Sequence, residues 1–208
     1  MARPRSSKVH DKVLRAAIDL FAGRGIEATS MDAIAHASGV SKATIYNHWA
    51  GKEALLMEVM LFVNGLDRER EEVDSGDVRR DLVTVLCRRP PGHLEAARKR
   101  MMPALIAYSA VHQEFGKAWR HRVMEPPRAS IRRILRRGIE QGLLRSDLDL
   151  DLGAALLLGP ILYSLILQRD GQASGPAIGP AVVDAFWRAH RTPLARPPRR
   201  SMLPLRKV

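Results

Sequence analysis

Apolar residues recur every three or four positions through most of this chain, and no stretch alternates convincingly between apolar and polar. A three-to-four spacing gives a helix one buried stripe, whereas a half-buried strand needs a spacing of two. The pattern therefore predicts an all-α protein of about nine to ten helices. The first runs from about Ser7 to Arg24, with Val9, Val13, Ala16, Ala17, Leu20 and Phe21 on one stripe. Short helices follow at about 31–37 and 42–48, and a longer one at about 52–72. Further helical patterns occupy 77–88, 92–110, 114–123, 126–143, 148–169 and 177–190. Aromatic residues are 5% of the chain, so the core rests on Leu, Ile, Val, Ala and the 8 Met.

Charge narrows the class of partner. Thirty-four Lys and Arg against 22 Asp and Glu give a formal net charge of +12, which favours an anionic partner, either nucleic acid or an acidic membrane face, without choosing between them. Residues 191–208 carry arginines, prolines and no acid, and read as a basic, disordered tail. The one cysteine, Cys87, leaves no internal disulfide and no cysteine-based zinc site within a chain. His93, His112 and His121 lack the spacing of metal ligands, so no metal and no cofactor are expected. The uncharged run 152–167 is short for a membrane span, is interrupted by Pro160, and is expected to be a helix buried on most sides. No membrane association and a cytoplasmic location are expected.

The segment Thr29–Trp49 has the form of a helix-turn-helix. Two short helices flank Ser38-Gly39-Val40-Ser41, with Gly39 suited to the tight turn. Thr29 or Ser30 can cap the first helix and Ser41 the second. Ile34, Ala35, Val40, Ile45 and Trp49 fall where a shared core would lie. Lys42, Ala43, Thr44, Tyr46, Asn47 and His48 are left to face outward, as a short polar surface able to enter a major groove.

With Gly25-Ile26-Glu27-Ala28 before it and Lys52-Glu53-Ala54-Leu55-Leu56 after it, this run resembles the DNA-binding domain of the TetR family of transcriptional repressors. The resemblance covers residues 8–56 and implies a dimer bound to a palindromic operator. It implies phosphate contacts from Thr29 or Ser30, from Tyr46 and His48, and from Lys52. It also implies that Lys42, Ala43 and Thr44 enter the groove, next to the cap Ser41. Asn47 stands where an aromatic is common in the family, Trp49 where a phenylalanine is common, and Ile26 in place of an aromatic. Asn can pair with adenine, so a base contact at 47 is possible, with no base deducible.

Residues 1–56 are thus expected to form the DNA-binding domain and residues 57–190 a regulatory and dimerising domain. The stretch Pro126–Leu167 also resembles a common C-terminal domain of the family, whose last two long helices build a four-helix interface with the partner. By that likeness Leu156, Leu157, Ile161, Leu165 and Ile166 would bury against a second subunit, with Gly153 and Gly159 permitting close approach. A pocket for an apolar or amphipathic effector would lie between the helices. Candidate lining residues are Met57, Met60, Leu61, Met101 and Met102, together with Leu105, Tyr108, Phe115, Trp119 and Tyr163; ordinary core packing is the competing reading of each. The arginines at 132, 133, 136 and 137 read as a solvated helix face. The expected function is a ligand-responsive repressor. A ligand-independent activator or architectural DNA-binding protein is the alternative. No enzyme is expected, because no phosphate loop, metal spacing or nucleophile with a nearby base is present.

Overall fold

The computed structural model of the chain describes residues 5–67, 71–88, 92–167 and 178–193. Those residues form ten α-helices: α1 (Arg5–Arg24), α2 (Met31–Ser38), α3 (Lys42–His48), α4 (Lys52–Val63), α5 (Val78–Leu86), α6 (Gly92–Val111), α7 (Gln113–Trp119), α8 (Glu125–Glu140), α9 (Leu150–Leu167) and α10 (Ile178–His190). A π-helical turn, Arg120–Met124, joins α7 to α8. The protein is all-α, and no described helix is long and apolar enough to cross a membrane.

Two apolar cores organise the bundle. One joins α1 to α4 with α6 and α7, and includes Phe21, Ile34, Ile45, Leu56, Met60, Met101 and Leu105. The second joins α5, α8, α9 and α10 around Leu82, Ile131, Leu135, Leu157 and Val183. Helix α9 reaches both, with Ala154 and Leu157 in the second core and Leu165 in the first. The first core runs past residue 56 without a break, because α4 buries Leu55, Leu56, Met57, Val59, Met60 and Val63 on most of its circumference.

Several boundaries differ from the periodic reading. The helix expected over 52–72 ends at Val63. Gly65 takes a left-handed φ of 60°, and the N–H of Leu66 bonds back to the carbonyl of Leu61 at 2.7 Å, a glycine-terminated stop that apolar spacing does not reveal. The first residues of the expected basic tail belong to the fold. Arg191 pairs with Leu144, and the N–H of Thr192 bonds to the carbonyl of Leu143 at 2.9 Å, so residues 191 and 192 dock on the α8–α9 loop. Residues 194–208 lie outside the described residues.

Of the arginines at 132, 133, 136 and 137 on α8, three are engaged in ion pairs rather than simply solvated. Arg132 binds Glu125 and Asp151, Arg133 binds Glu72, and Arg137 binds Asp74 and the fully buried Asp81. Asp81 also accepts from the backbone and hydroxyl of Ser75. Burial pushes its pKa up, but the bonds from Ser75 and Arg137 outweigh that and hold the carboxyl below its ordinary value. The segment before α5 is thereby clamped to α8. Only Arg136 matches the expectation in being simply exposed.

Candidate nucleic-acid interface

The interface is built on a short capped helix. Gly39 adopts φ 65°, in the left-handed region that costs a glycine little, and turns the chain out of α2. Ser41 then accepts from the N–H of Thr44 at 3.1 Å, and its oxygen lies 2.7 Å from the Thr44 hydroxyl. Ile45 and Trp49 are buried and fix the rotation of α3. That rotation leaves Lys42, Ala43, Tyr46, Asn47 and His48 exposed and Thr44 half-buried. Five of the six residues that the spacing turns outward are exposed, and Thr44 is partly covered.

Trp49 is anchored by groups that the spacing did not reveal. Its indole N–H donates to Glu58 of α4, and His10 of α1 both stacks on the indole at 5.0 Å and pairs with Glu58. A buried indole needs an acceptor, so an acid within reach of Trp49 was the available signal. Through Glu58 the end of the recognition helix is tied to α4, the helix that runs on toward the rest of the bundle.

Two expected phosphate ligands are otherwise engaged. Thr29 is 1% exposed, and its hydroxyl donates to the carbonyl of Gly25 at 2.7 Å, so it shapes the α1–α2 loop rather than facing a ligand. Lys52 donates to the carbonyls of Ile26 at 3.1 Å and Glu27 at 3.4 Å, pulling the same loop onto the start of α4. Ser30 does stand exposed at the start of α2, where its oxygen accepts from Ala33 and its own proton remains available to a phosphate. Lys42 pairs with Asp32 at 2.6 Å, which raises its pKa by hydrogen bonding and charge. Both partners are well exposed, so a phosphate can compete for this lysine at small cost.

A polar junction links this module to the bundle. His112, just after α6, lies 3.1 Å from Glu27 and 3.5 Å from Glu53, and stacks on Tyr108 at 3.8 Å. The Tyr108 hydroxyl donates to Glu53 at 3.1 Å; burial first, then the charges of Glu53 and Glu27, push its pKa up to about 12. Tyr108 thus serves this junction, and it borders none of the described cavities.

The other expected pocket residues are mostly packed core. Met57, Met60, Met101, Leu105, Phe115 and Trp119 are buried in the first core, with Leu61 packed against it. The indole N–H of Trp119 is buried with no hydrogen-bond partner. Tyr163 is 66% exposed on the outer face of α9 and lines none of the three described cavities. Of the whole set, Met102 alone borders one of the three described cavities. That cavity, of about 130 Å³, lies where α4, α5, α6, the π-helical turn and α9 meet. A second, of about 220 Å³, adjoins it and shares Leu66, Val85, Arg88 and Pro127. A third, of about 370 Å³, lies between α1 and the start of α6, against Arg15, Phe62 and Arg100.

On α9 the expected interface set divides. Leu156 and Ile166 are exposed and Ile161 is partly so. Leu157 and Leu165 point into the chain's own cores and are not available to a partner. Exposed Leu152, Leu156, Tyr163 and Ile166 instead form one stripe at spacings of three, four and seven, with the open Gly159 along it. Gly153 serves an internal contact. A Cβ there would come 2.8 Å from Leu135 of α8, so this glycine lets α8 and α9 approach within the chain. Among the described residues no cluster of His, Cys, Asp or Glu could hold a metal ion.

Comparison with known proteins agrees with this architecture. Residues 13–59 match the family described as bacterial regulatory proteins, tetR family, and residues 72–186 match the tetracyclin repressor-like C-terminal domain. The HTH-type transcriptional regulator YdeS of Bacillus subtilis is 32% identical over 168 residues, covering 81% of this chain and 83% of the relative. The HTH-type transcriptional repressor KstR2 of Rhodococcus jostii is 27% identical over 160 residues, covering 70% and 72%. The fold is shared with the transcriptional regulator FadR of Bacillus subtilis, solved in complex with stearoyl-CoA, at a TM-score of 0.62 and 17% identity over 85% of this chain and 97% of that one. A capped recognition helix on a three-helix module, joined to an all-α bundle and matched by both family domains, leads to one conclusion: this chain belongs to the TetR family of transcriptional regulators.

Proposed function

We propose that this protein is a repressor that binds a roughly palindromic operator as a homodimer and leaves it when a small apolar or amphipathic molecule binds the bundle. The observation that carries the reading is the outward face of α3. Small and polar side chains stand exposed there on a helix held in place by Ile45, Trp49 and two serine or glycine turns. Lys42, Tyr46 and His48 suit phosphates, and Asn47 suits a base edge. The apolar stripe of α9 supports the dimer, because a row of Leu, Tyr and Ile on a helix face favours a second copy over water. Relatives named as repressors support the sign of regulation.

Release follows from population shift. A ligand that binds better to the form with misplaced recognition helices lowers operator affinity by its preference between the two forms. Helix α4 is suited to carry the change. Its first turn holds Lys52 and Glu53 against the α1–α2 loop and His112, its middle holds Glu58 against Trp49, and its end borders the 130 Å³ cavity.

A second reading, DNA binding without any ligand, is favoured by the full burial of Met60, Met101 and Leu105 in a continuous core. Half-site geometry tests the proposed dimer. Once an operator has been selected from random duplexes, adding five base pairs between its halves turns them about half a helical turn apart. Binding by a rigid dimer is then lost; binding that survives the insertion contradicts the proposal.

A further inference from the structure

The start of α1 carries a row of cations that the chain itself does not neutralise. Lys8, Lys12 and Arg15 follow one another at spacings of four and three, so they share one face of the helix, about 5 Å apart along its axis. All three are exposed, and among the described residues none of their side chains has an ion-pair or hydrogen-bond partner. The row encloses one acid in sequence, Asp11, which is partly buried and already engaged. On α8, by contrast, Arg132, Arg133 and Arg137 each hold an acid of their own chain. Upstream of Lys8 the sequence adds Arg3 and Arg5 and no acid. The row begins beside the proposed DNA contact and ends at the bundle. His10, two residues after Lys8, stacks on Trp49 at 5.0 Å, and its ring lies edge-on to that of His48 at 6.3 Å. His48 is the last residue of α3 and one of the side chains proposed above for phosphate. Arg15 instead shares a surface cavity with His93 and Arg100 of α6.

We propose that Lys8, with Lys12 behind it, is a second contact to the DNA backbone, one that extends each half-site along the strand beyond the phosphates held by Tyr46 and His48. This rests on the DNA-binding reading above and adds a surface to it. Helix α3 supplies the base contacts and one set of phosphates, and the start of α1 supplies charge that positions the module without reading sequence. Each phosphate neutralised releases condensed counterions, so the signature of the contact is a steeper dependence on salt. Position along the row sets the order of effect. Lys8 acts most strongly, Lys12 less, and Arg15 not at all, because Arg15 lies against the bundle.

The test uses the full chain, the operator selected from random duplexes, and the variants Lys8→Gln, Lys12→Gln and Arg15→Gln, each of which removes one exposed charge. Affinity is measured across a salt series. Lys8→Gln should lower the slope of log affinity against log salt by about one per half-site and weaken binding about fivefold, while a repeat selection returns the same sequence. Lys12→Gln should do less, and Arg15→Gln should leave the slope as it was. Ethylation interference adds a map: wild type should show, in each half-site, a phosphate whose modification weakens binding and no longer matters to Lys8→Gln. The inference is overturned if Lys8→Gln leaves the slope unchanged, or if Arg15→Gln lowers it as much, which is the mark of net charge acting at a distance. An operator that is selected but bound with the same slope by wild type and Lys8→Gln removes this contact alone. Failure of the wild-type chain to select any operator removes the α3 reading and this contact with it.

Discussion

Two surfaces of this molecule are left uncovered by its own fold, and they are opposites. The face of α3 is short, polar and carried by residues with small or hydrogen-bonding side chains. The outer stripe of α9 is long and apolar, with Leu152, Leu156, Tyr163 and Ile166 in the open. Both arise in the same way, from a helix whose opposite side is fixed by the core. They differ in what can cover them at a profit. Phosphates and base edges can replace the water on α3, because its hydroxyls, amide and cations re-form hydrogen bonds with the new partner. Only another apolar surface can replace the water on α9, and a copy of the same helix offers one of matching shape. In the proposed dimer one surface depends on the other: a pair of α3 faces is set at a fixed spacing only if the α9 stripes hold two chains together.

The largest effect should come from spoiling the apolar surface. Leu152→Asp combined with Leu156→Asp buries unpaired charge in the proposed dimer contact and should weaken dimerisation by about a thousandfold or more, with helix content unchanged. Sedimentation at several concentrations measures this, and operator affinity should fall with it. Leu157→Ala is the contrasting change. It removes a side chain from the chain's own core, so it should cost about 2–5 kcal/mol of stability without a matching charge effect at the interface.

Next in size is the frame that keeps both surfaces in place. Asp81→Asn leaves Arg137 without its buried partner and should cost about 3 kcal/mol, read from urea unfolding. The pH dependence has a defined sign. The folded carboxyl is held below its ordinary 3.8, so its contribution is full above that value and is lost as pH falls below it through the depressed folded value. Wild type should lose stability over that acid range, and the Asn variant should lack this part of the loss.

On the polar surface the effects are smaller and specific to DNA. Tyr46→Phe or Lys42→Ala should each reduce operator affinity by about tenfold, leave dimerisation and stability unchanged, and, for Lys42→Ala, lower the salt slope by about one. Smallest of all, Thr29→Val should cost about 1 kcal/mol of stability through the lost bond to Gly25 while leaving the salt slope as it was. A reduced slope in that variant would return Thr29 to the phosphate contacts.

The two surfaces also differ in how readable they were. The residues that shape α3 itself lie within about twenty positions, with the cap Ser41, the glycine at 39, and Ile45 and Trp49 at core spacing; only the anchoring of Trp49 by His10 and Glu58 reaches further. Local chemistry was enough. On α9 almost every position is apolar, so spacing marks a buried helix but cannot say which side meets its own core. That is why Leu157 and Leu165 were assigned outward and Tyr163 inward, the reverse of their places. Thr29 and Lys52 have the right residue types at the right positions for phosphate, yet both serve the backbone of the 25–27 loop, and for Lys52 that contact spans twenty-five residues of sequence or more. The clamp of Asp81 and Arg137 spans 56 residues and leaves no local trace. The small cavity where α4, α5, α6, the π-helical turn and α9 meet draws its lining from segments far apart in sequence, so no local pattern marks it.

The account stands on α3 reading DNA in symmetric pairs. Selection from random duplexes tests this directly, run on the wild-type chain, on Lys42→Ala/Tyr46→Ala/Asn47→Ala, and on the Leu152→Asp/Leu156→Asp chain. The account predicts one two-fold symmetric sequence for wild type and its loss in both variants. Unselective enrichment, or an asymmetric sequence that persists when α3 is stripped of its side chains, would contradict it.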